Sequence, residues 1–304
     1  MQPTHVATVI LNTNRRSDTL ACLASLAEGT YRSDTTIVLD NHSSDGSVEA
    51  IRRSFPAVEI IELSENRGYA GNNNVGIRAA LEHRADWILI LNEDTILATD
   101  CLERLLHLGQ SNPRVGIVGP MVYHYKEPHV IQSAGGRMNR FWEATHFGQN
   151  EIDAGQFAEP RAVDWVTGCS ILVRRELIEQ VGMFDERMFI YWEETEWCVR
   201  AKRAGWSIVH EPRAKLWHKG VTRDHRPKPS FTYYSTRNRF LAMAKHHASL
   251  AAWVVAGVHL VRTMTSWTIK PKCRQMREHR DAMCQGALDF LRRRWGMYSP
   301  SLKR

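Results

Sequence analysis

Residues 87–94 read Trp-Ile-Leu-Ile-Leu-Asn-Glu-Asp, and this stretch decides the fold class. Its five apolar residues form a short continuous run, which is typical of a strand buried on both faces of a sheet. The run stops at Asn92, Glu93 and Asp94, so three polar side chains follow the carboxyl end of the strand. In open α/β sheets, ligands bind beyond that edge.

The same unit precedes residue 87 three times. Strands are predicted at 6–11, 36–39 and 60–63, each followed by a polar loop and a segment whose apolar residues have helical spacing. The third helix is predicted to start after its loop and to run to about Leu81. In chain order, the three loops contain Asn12 and Asn14, then Asp40 and Asn41, then Asn66, Gly68 and Asn74.

Alternating strands and helices predict an α/β fold, with a Rossmann-like, mostly parallel sheet and helices on both faces. After residue 120 the pieces become shorter, with strands expected at 163–173 and 206–210 and a helix near Glu194. From Phe240 onward the chain reads as helical. We therefore predict a catalytic domain over 1–240 and a helical C-terminal region over 241–304.

The charge is concentrated in that C-terminal region. The whole chain has a net charge of +7, and residues 241–304 contain 12 Lys and Arg against 3 Asp and Glu. A hydrophobic fraction of 43% with 24% charged residues excludes collagen-like and wholly disordered chains. The basic excess indicates an anionic partner, which is nucleic acid, a phosphorylated substrate or an acidic membrane surface.

The C-terminal region has two open interpretations. Trp253 and Trp267, followed by closely spaced lysines and arginines, fit a helix at an anionic membrane interface. An amphipathic helix packed on the catalytic domain or on a second copy in a homo-oligomer fits equally well. His259 and Arg262 interrupt the apolar run, which disfavours a spanning helix.

The cysteines and the N-terminus point to a reducing compartment. The six cysteines are scattered without metal-binding spacing, and no signal-peptide pattern follows Met1. We expect free thiols, no structural zinc, and a cytoplasmic protein that is peripheral at the inner face of the plasma membrane if the interface reading holds.

Three groups of residues suggest chemistry, and each has a structural alternative. Asp94 suits a hard divalent cation but equally suits a helix N-cap. Glu193 and Glu194 follow an aromatic segment, so one of them could be a desolvated general base, although acids are also favoured in an exposed first helical turn. His218 ends a strand-like run, where a hydrogen-bonded structural histidine is the common case.

Taken together, the ordered blocks resemble glycosyltransferase family 2. The resemblance rests on the loops after the first three strands, on Asn92-Glu-Asp94, on 166–175, on 182–200 and on Arg237-Asn238, an element similar to one in the rhamnosyltransferase-like branch. It implies a GT-A fold, a nucleotide-diphosphate sugar donor, Mg²⁺ or Mn²⁺, and inversion at the anomeric carbon. Asn92 departs from the family pattern, which has an aspartate there.

The resemblance also implies roles for individual residues. Asp94 and His218 would hold the metal, Glu194 or Glu193 would be the base, and Arg237 would pair with the diphosphate. The implied acceptor site consists of Trp165, Gly168 and Cys169. The implied nucleotide-sugar site consists of Asn12, Asn14, Asp40, Asn41, Asn66, Gly68, Asn74, Asn92, Glu93 and Arg237.

The expected activity is therefore transfer of a sugar, with rhamnose as the candidate, from a dTDP- or UDP-linked donor to a hydroxyl of a glycan or lipid-linked acceptor. A sugar nucleotidyltransferase would share the fold and the metal, but it should carry a glycine-rich loop after the first strand, and residues 12–16 contain no glycine. A nucleic-acid-binding protein would explain the charge, but the chain contains no recognised binding motif, so we expect no nucleic acid partner.

Overall fold

The computed structural model describes residues 4–224 and 226–300, which contain a large mixed sheet, a small hairpin and nine α-helices. The strands are β1 Val6–Asn12, β2 Thr35–Asp40, β3 Glu59–Glu62, β4 Trp87–Asn92, β5 Thr95–Leu97, β6 Val115–His124, β7 Glu127–Ser133, β8 Gly136–Met138, β9 Ala144–His146, β10 Arg161–Ala162, β11 Ser170–Arg174 and β12 Ser207–His218. The α-helices are α1 Arg16–Ala27, α2 Ser47–Ser54, α3 Gly68–Glu82, α4 Cys101–Gln110, α5 Arg175–Val181, α6 Glu193–Arg203, α7 Pro229–Lys245, α8 Leu250–Ile269 and α9 Arg277–Leu291.

The predicted βαβ units form one half of the large sheet. Strands β3, β2, β1 and β4 are neighbours in that order, and all three pairings are parallel. Asn12 pairs in register with Asp40, and Leu11 pairs with Asn92. The polar residues at the three strand ends therefore meet at one edge, as the sequence predicts.

The other half of the sheet is mixed. The order continues through β11, β6, β12 and β10, and β11 runs antiparallel to both β4 and β6. Of the strand expected at 163–173, only residues 170–173 lie in a strand, β11, because residues 163–169 connect it to β10 and include a turn at 168–169. The strand expected at 206–210 begins at Ser207 and continues to His218. This longer strand carries His218 to the edge that holds Asp94.

Helices cover both faces, because alternate strand residues face opposite sides. On β4, Ile88 and Ile90 pack with α3, α5 and α6, while Leu89 and Leu91 pack with α1, α2 and α4. This arrangement confirms the α/β class with helices on both faces.

Helix α3 begins earlier than its sequence indicates. Glycine and asparagine have low helix propensity, so 66–74 reads as a loop, yet the helix starts at Gly68. Tertiary contacts explain the difference: Asn74 exchanges hydrogen bonds with the backbone of Phe184, donating at 2.9 Å and accepting at 3.0 Å.

The C-terminal helices pack on the sheet domain through their own apolar cluster. Phe240, Leu241 and Met243 of α7 and Ala252 of α8 join Met188 and other buried residues. The boundary expected at residue 240 lies inside α7, so the helical region begins at Pro229. In the described part of the chain, no helix is long and apolar enough to cross a membrane.

Candidate active site

Two loops at the strand ends are tied together by side-chain hydrogen bonds. Asn12 donates to Asp40 Oδ1 (2.7 Å) and to Ser43 Oγ (3.0 Å), and Asp40 Oδ2 accepts from the Ser43 backbone N–H (2.9 Å). Asn14 Oδ1 accepts from the Ser44 backbone N–H at 2.8 Å. Asn12 and Asp40 are therefore fully engaged in holding the loops.

Asn41 is the group in these loops that keeps an acceptor available. Its amide N–H donates weakly to Thr13 Oγ1 (3.3 Å), whereas Oδ1 has no hydrogen-bond partner among the described residues. Asn41 is partly exposed beside the exposed Thr13 and Asn14. These three residues can contact a polar ligand beyond the sheet edge.

Asp94 and His218 lie against each other at the same edge. Residue His218 ends β12 and pairs with Thr95 of β5, which places the imidazole Nε2 3.0 Å from Asp94 Oδ1. Both side chains are more than nine-tenths buried. His218 Nδ1 lies 3.1 Å from Gln132 Oε1; in the tautomer that carries the proton on Nδ1, the ring donates to that oxygen and Nε2 has a lone pair that can bind a cation.

This pair fits a divalent cation. Asp94 Oδ1 makes no hydrogen bond of ordinary geometry among the described residues, so a cation could bind between this oxygen and the Nε2 lone pair of that tautomer. A histidine whose other ring nitrogen donates to a fixed acceptor is the usual arrangement around a ligated metal. No third His, Cys, Asp or Glu gathers there within the described residues, so oxygens of a bound substrate would have to complete the coordination.

One cation, Arg15, contacts the Asp94 carboxylate, and a second, Lys219, follows His218 and donates its backbone N–H to the Asp94 carbonyl at 2.8 Å. Arg15 Nη1 lies 3.2 Å from Asp94 Oδ2, and Lys219 Nζ lies 3.0 Å from Asp18. Although burial opposes the charged form, His218 and Arg15 hold the pKa of Asp94 below its ordinary value. Neither Arg15 nor Lys219 is assigned a role by the sequence, although each neighbours a predicted site residue.

The two other polar residues at the end of β4 differ in character. Burial, together with the charge of Asp94, raises the pKa of Glu93 to about 8. Asn92 Oδ1 is buried without a hydrogen-bond partner among the described residues. Both side chains therefore lie beside Asp94, as the sequence predicts, and each retains hydrogen-bonding capacity.

Gly168 and Cys169 connect the Asp94–His218 pair to helix α6, which begins with Glu193 and Glu194. The Asn92 backbone N–H donates to the Cys169 carbonyl (3.0 Å), and a Cβ built on Gly168 would stand 3.8 Å from the Glu194 side chain. Tyr69 donates its hydroxyl to the Gly168 carbonyl at 2.6 Å. Burial raises the pKa of Cys169 to about 12, which keeps the thiol protonated.

Glu193 and Glu194 begin α6, and their environments differ. Glu193 is buried, and its Oε2 has no hydrogen-bond partner among the described residues. Glu194 is only partly buried and lies next to Gly168. Burial raises the pKa of Glu194 to about 7, and burial plus the neighbouring charge raises the pKa of Glu193 as well. A carboxylate with a pKa near neutrality is suited to general base catalysis.

The segment that leads into these two glutamates has an unusual backbone. Phe189, Tyr191 and Trp192 all have positive φ, at 64°, 67° and 75°, which is costly for bulky residues. Asn238 Nδ2 donates to the carbonyls of Met188 (2.8 Å), Ile190 (2.9 Å) and Tyr191 (2.7 Å). We call residues 188–192 the aromatic segment.

Arg237 holds the same segment, and this corrects its predicted role. It is fully buried, and its five N–H donors have five acceptors: the Asn238 side chain, the Tyr233 hydroxyl and the carbonyls of Arg187, Met188 and Gly296. No donor remains for a diphosphate. The Arg-Asn element therefore fixes the backbone that positions Glu193 and Glu194.

Four further residues expected at the site make structural contacts. Gly68 lies under the aromatic segment, since a Cβ there would come 2.4 Å from the Phe189 carbonyl oxygen, and Asn66 caps that turn by accepting from the Gly68 N–H. Asn74 is bonded to the 184–186 segment. The Trp165 ring is buried against His146, and its indole donates to a backbone carbonyl, so it presents no face to an acceptor.

Comparison with known proteins places this arrangement in a family. Residues 8–182, more than half of the chain, match Glycosyl transferase family 2. The chain is 28% identical over 248 residues to the N-acetylglucosaminyl-diphospho-decaprenol L-rhamnosyltransferase of Mycobacterium tuberculosis, covering 74% of this chain and 80% of the relative. It is 27% identical over 257 residues to the dTDP-rhamnosyl transferase RfbF of Shigella flexneri, covering 80% of this chain and 82% of the relative.

Solved structures show the same fold. The mannosyltransferase PcManGT from Pyrobaculum calidifontis, solved in complex with GDP-Man and Mn²⁺, superposes with a TM-score of 0.60 at 17% identity, over 95% of this chain and 88% of that one. The S. aureus TarS fragment 1–349 also superposes with a TM-score of 0.60, at 13% identity, over 96% of this chain and 83% of that one. The fold is GT-A.

Proposed function

Because this chain belongs to glycosyl transferase family 2, we propose that it is an inverting, metal-dependent enzyme that transfers rhamnose from a dTDP-linked donor to a lipid-linked sugar. Membership of this family favours glycosyl transfer over both nucleotidyl transfer and nucleic-acid binding. The donor and acceptor are suggested by the relatives, one named for dTDP-rhamnose and the other for a diphospho-decaprenol substrate.

One observation carries the mechanism: the Asp94–His218 pair and Glu194 lie at one sheet edge, linked through Gly168 and Cys169. The Cys169 thiol is close enough to both Asp94 and Glu194 for the charge of each to raise its pKa. This proximity supports a mechanism in which the Asp94–His218 pair would hold the metal of the leaving group and Glu194 would act on the other side of the anomeric carbon.

On this proposal, Asp94 and His218 hold Mg²⁺ or Mn²⁺, and PcManGT was solved with Mn²⁺. A bound divalent cation neutralises the charge that develops on a leaving diphosphate. In this scheme Arg15, which contacts Asp94, and Lys219, which follows His218, bind phosphate oxygens in place of Arg237. Asn41, beside Thr13 and Asn14, contacts the nucleotide.

Glu194 is the base in this scheme, because Glu193 is the more buried of the two carboxylates. Glu194 takes the proton from an acceptor hydroxyl while that oxygen forms a bond to the anomeric carbon. The bond from that carbon to the donor phosphate oxygen breaks, and the nucleoside diphosphate leaves with the electron pair. A single displacement of this kind inverts the configuration.

A donor screen tests the proposed substrates. Purified protein is mixed with dTDP-rhamnose, UDP-glucose, UDP-N-acetylglucosamine or GDP-mannose, with a polyprenyl-diphosphate-linked N-acetylglucosamine acceptor, with and without Mn²⁺. We expect acceptor-dependent release of dTDP only from dTDP-rhamnose with the cation present. Turnover of another donor would refute rhamnose as the transferred sugar. Equal turnover in the presence of a chelator would refute the proposed metal dependence.

A further inference from the structure

Helix α8 exposes aliphatic side chains along one side. Its small residues Ala252 and Ala256 are buried against the other C-terminal helices. On the opposite side, the members of what we call the aliphatic stripe are spaced three, four or eight residues apart, which places them on one face. They are Leu250 (80% exposed), Val254 (55%), Val258 (61%), Val261 (64%) and Ile269 (72%).

This stripe departs from the usual surface pattern. A helix on the surface of a globular protein turns its apolar face inward and its polar face to water. The inward side of α8 does pack apolar residues, namely Ala252, Ala256 and the partly buried Trp253 and Leu260, but five more aliphatic residues face outward. A row of exposed aliphatic side chains along one helix face marks a surface that another phase or molecule covers.

Positive charge follows the stripe directly. Lys270, Lys272, Arg274 and Arg277 are exposed, and we call residues 270–277 the cationic turn. From residue 225 to residue 277 the sequence contains no Asp or Glu. The aliphatic stripe therefore ends in a group of cations without an acidic residue among them.

We propose that the aliphatic stripe and the cationic turn bind the surface of an anionic lipid bilayer, with α8 lying in the plane of the interface. Aliphatic side chains enter the acyl boundary, and the lysines and arginines contact the lipid phosphates. No described helix is long and apolar enough to span a bilayer, which agrees with a helix lying on it. The inference rests on the proposed function only for its purpose, which is to bring the enzyme to a lipid-linked acceptor.

Charge complementarity favours a bilayer over a second copy of the chain. A second copy would offer the same stripe, but residues 241–304 carry 12 Lys and Arg against 3 Asp and Glu. Pairing these regions would bring together two surfaces that each have a net charge of +9, because 12 basic residues outnumber 3 acidic ones. An anionic bilayer satisfies both the apolar and the cationic part.

Vesicle flotation with the full chain tests the proposal. Vesicles are prepared from phosphatidylcholine alone and from phosphatidylcholine with phosphatidylglycerol. We expect binding to the anionic vesicles that weakens as salt is raised, since salt screens contacts between exposed charges. Binding to neither vesicle, or equal binding to both at all salt concentrations, would overturn the proposal.

Matched substitutions locate the surface. Val258→Asp should lower the partition coefficient on anionic vesicles about tenfold or more, because the substitution removes aliphatic area and introduces a negative charge that the anionic lipids repel. Ile152→Asp is the control, since Ile152 is 68% exposed and lies outside the helical region. Val258→Trp should strengthen binding. Identical partition of the Val258→Asp and Ile152→Asp variants would remove α8 from the interface.

Two more readouts separate the alternatives. Sedimentation in the absence of lipid reports a second copy: a dimer that Val258→Asp dissociates would assign the stripe to self-association and refute the bilayer. Flotation requires no substrate, whereas the donor screen requires no bilayer if a water-soluble acceptor analogue is used. Each proposal can therefore fail while the other stands.

Discussion

At the scale of single residues, the site depends on two carboxylates whose surroundings push their pKa values in opposite directions. His218 and Arg15 keep Asp94 charged, whereas burial raises the pKa of Glu194 to about 7. The first is suited to hold a cation permanently, and the second to take up a proton near neutral pH.

Replacing Glu194 by Gln should abolish the base while keeping its size. We expect kcat to fall by about 10²–10⁴-fold with little change in donor binding. In the unchanged protein, kcat should rise with pH through about 7, because the base must be ionised to accept a proton. Stopped transfer assays across pH measure both effects. Glu193→Gln is the matched control, and a larger loss in that variant would move the base to Glu193.

Glu193→Gln carries its own stability prediction. The raised carboxyl pKa means that the folded state resists ionisation, so folding is weakened as pH rises above the ordinary value of 4.5. The glutamine variant lacks this penalty and should melt about 2–4 °C higher at pH 8, for roughly 1 kcal/mol of relief. The difference should vanish near pH 4. A variant that is less stable than the unchanged protein at pH 8 would contradict the assignment.

A substitution at Gln132 tests the proposed metal site while leaving both Asp94 and His218 unchanged. Gln132→Leu removes the acceptor that fixes the His218 ring and should weaken Mn²⁺ affinity about 10–100-fold. Titration of Mn²⁺ by electron paramagnetic resonance, with nucleoside diphosphate present, gives the affinity. Gln156→Leu, in an exposed loop, should leave it unchanged. Equal affinities would separate Gln132 from the site.

The sequence predicts residues whose role follows from position on a strand, and it fails where a role depends on distant partners. Asp94 and His218 meet as expected, since each directly follows or ends a strand at one edge. Arg237 was expected on the diphosphate, but three of its five acceptors are the backbone carbonyls of Arg187, Met188 and Gly296, which lie far away in the sequence. Nothing local to residue 237 reveals these three carbonyls.

At the scale of elements, the aromatic segment determines the position of helix α6. Its backbone has three positive φ values and is fixed by hydrogen bonds from Arg237 and Asn238. A further hydrogen bond comes from the N-terminus of α3, where the Ala70 N–H donates to the Phe189 carbonyl at 3.0 Å. Fixed in this way, the segment sets where α6 begins.

Asn238→Asp should loosen that segment while preserving side-chain shape. The substitution removes the N–H groups that serve three carbonyls, so we expect a loss of about 2–4 kcal/mol of stability and a lower kcat. Thermal unfolding gives the first, and transfer assays on the folded fraction give the second. Asn112→Asp is the control, because the exposed Asn112 side chain only accepts. Full activity of folded Asn238→Asp would reduce its role to stability.

The start of α3 and the direction of β11 could not be predicted from the sequence. The first turns of α3 consist of residues with low helix propensity, and they are stabilised by contacts with residues 184–189, about 110 residues away in the sequence. The antiparallel direction of β11 is equally invisible, because the alternation of side chains along a strand is the same in either direction.

At the scale of the whole molecule, the sheet domain and the C-terminal helical region differ in charge, and we propose a separate function for each. The sheet domain presents the Asp94–His218 pair and Glu194 at one edge, while the strongly basic helical region carries the exposed face of α8. The sequence predicts this division through its charge distribution. The sequence could not decide whether the aliphatic face of α8 is buried or exposed, because this depends on which side of the helix packs against the rest of the protein.

The central claim is that one sheet edge performs glycosyl transfer with Asp94 holding the metal and Glu194 acting as the base. The most direct measurement is acceptor-dependent release of nucleoside diphosphate by the unchanged protein and by Asp94→Asn and Glu194→Gln, each with saturating Mn²⁺ and with circular dichroism to confirm folding. The account predicts release by the unchanged protein and a loss of at least about 100-fold in both folded variants. Near-normal release by either folded variant would contradict it.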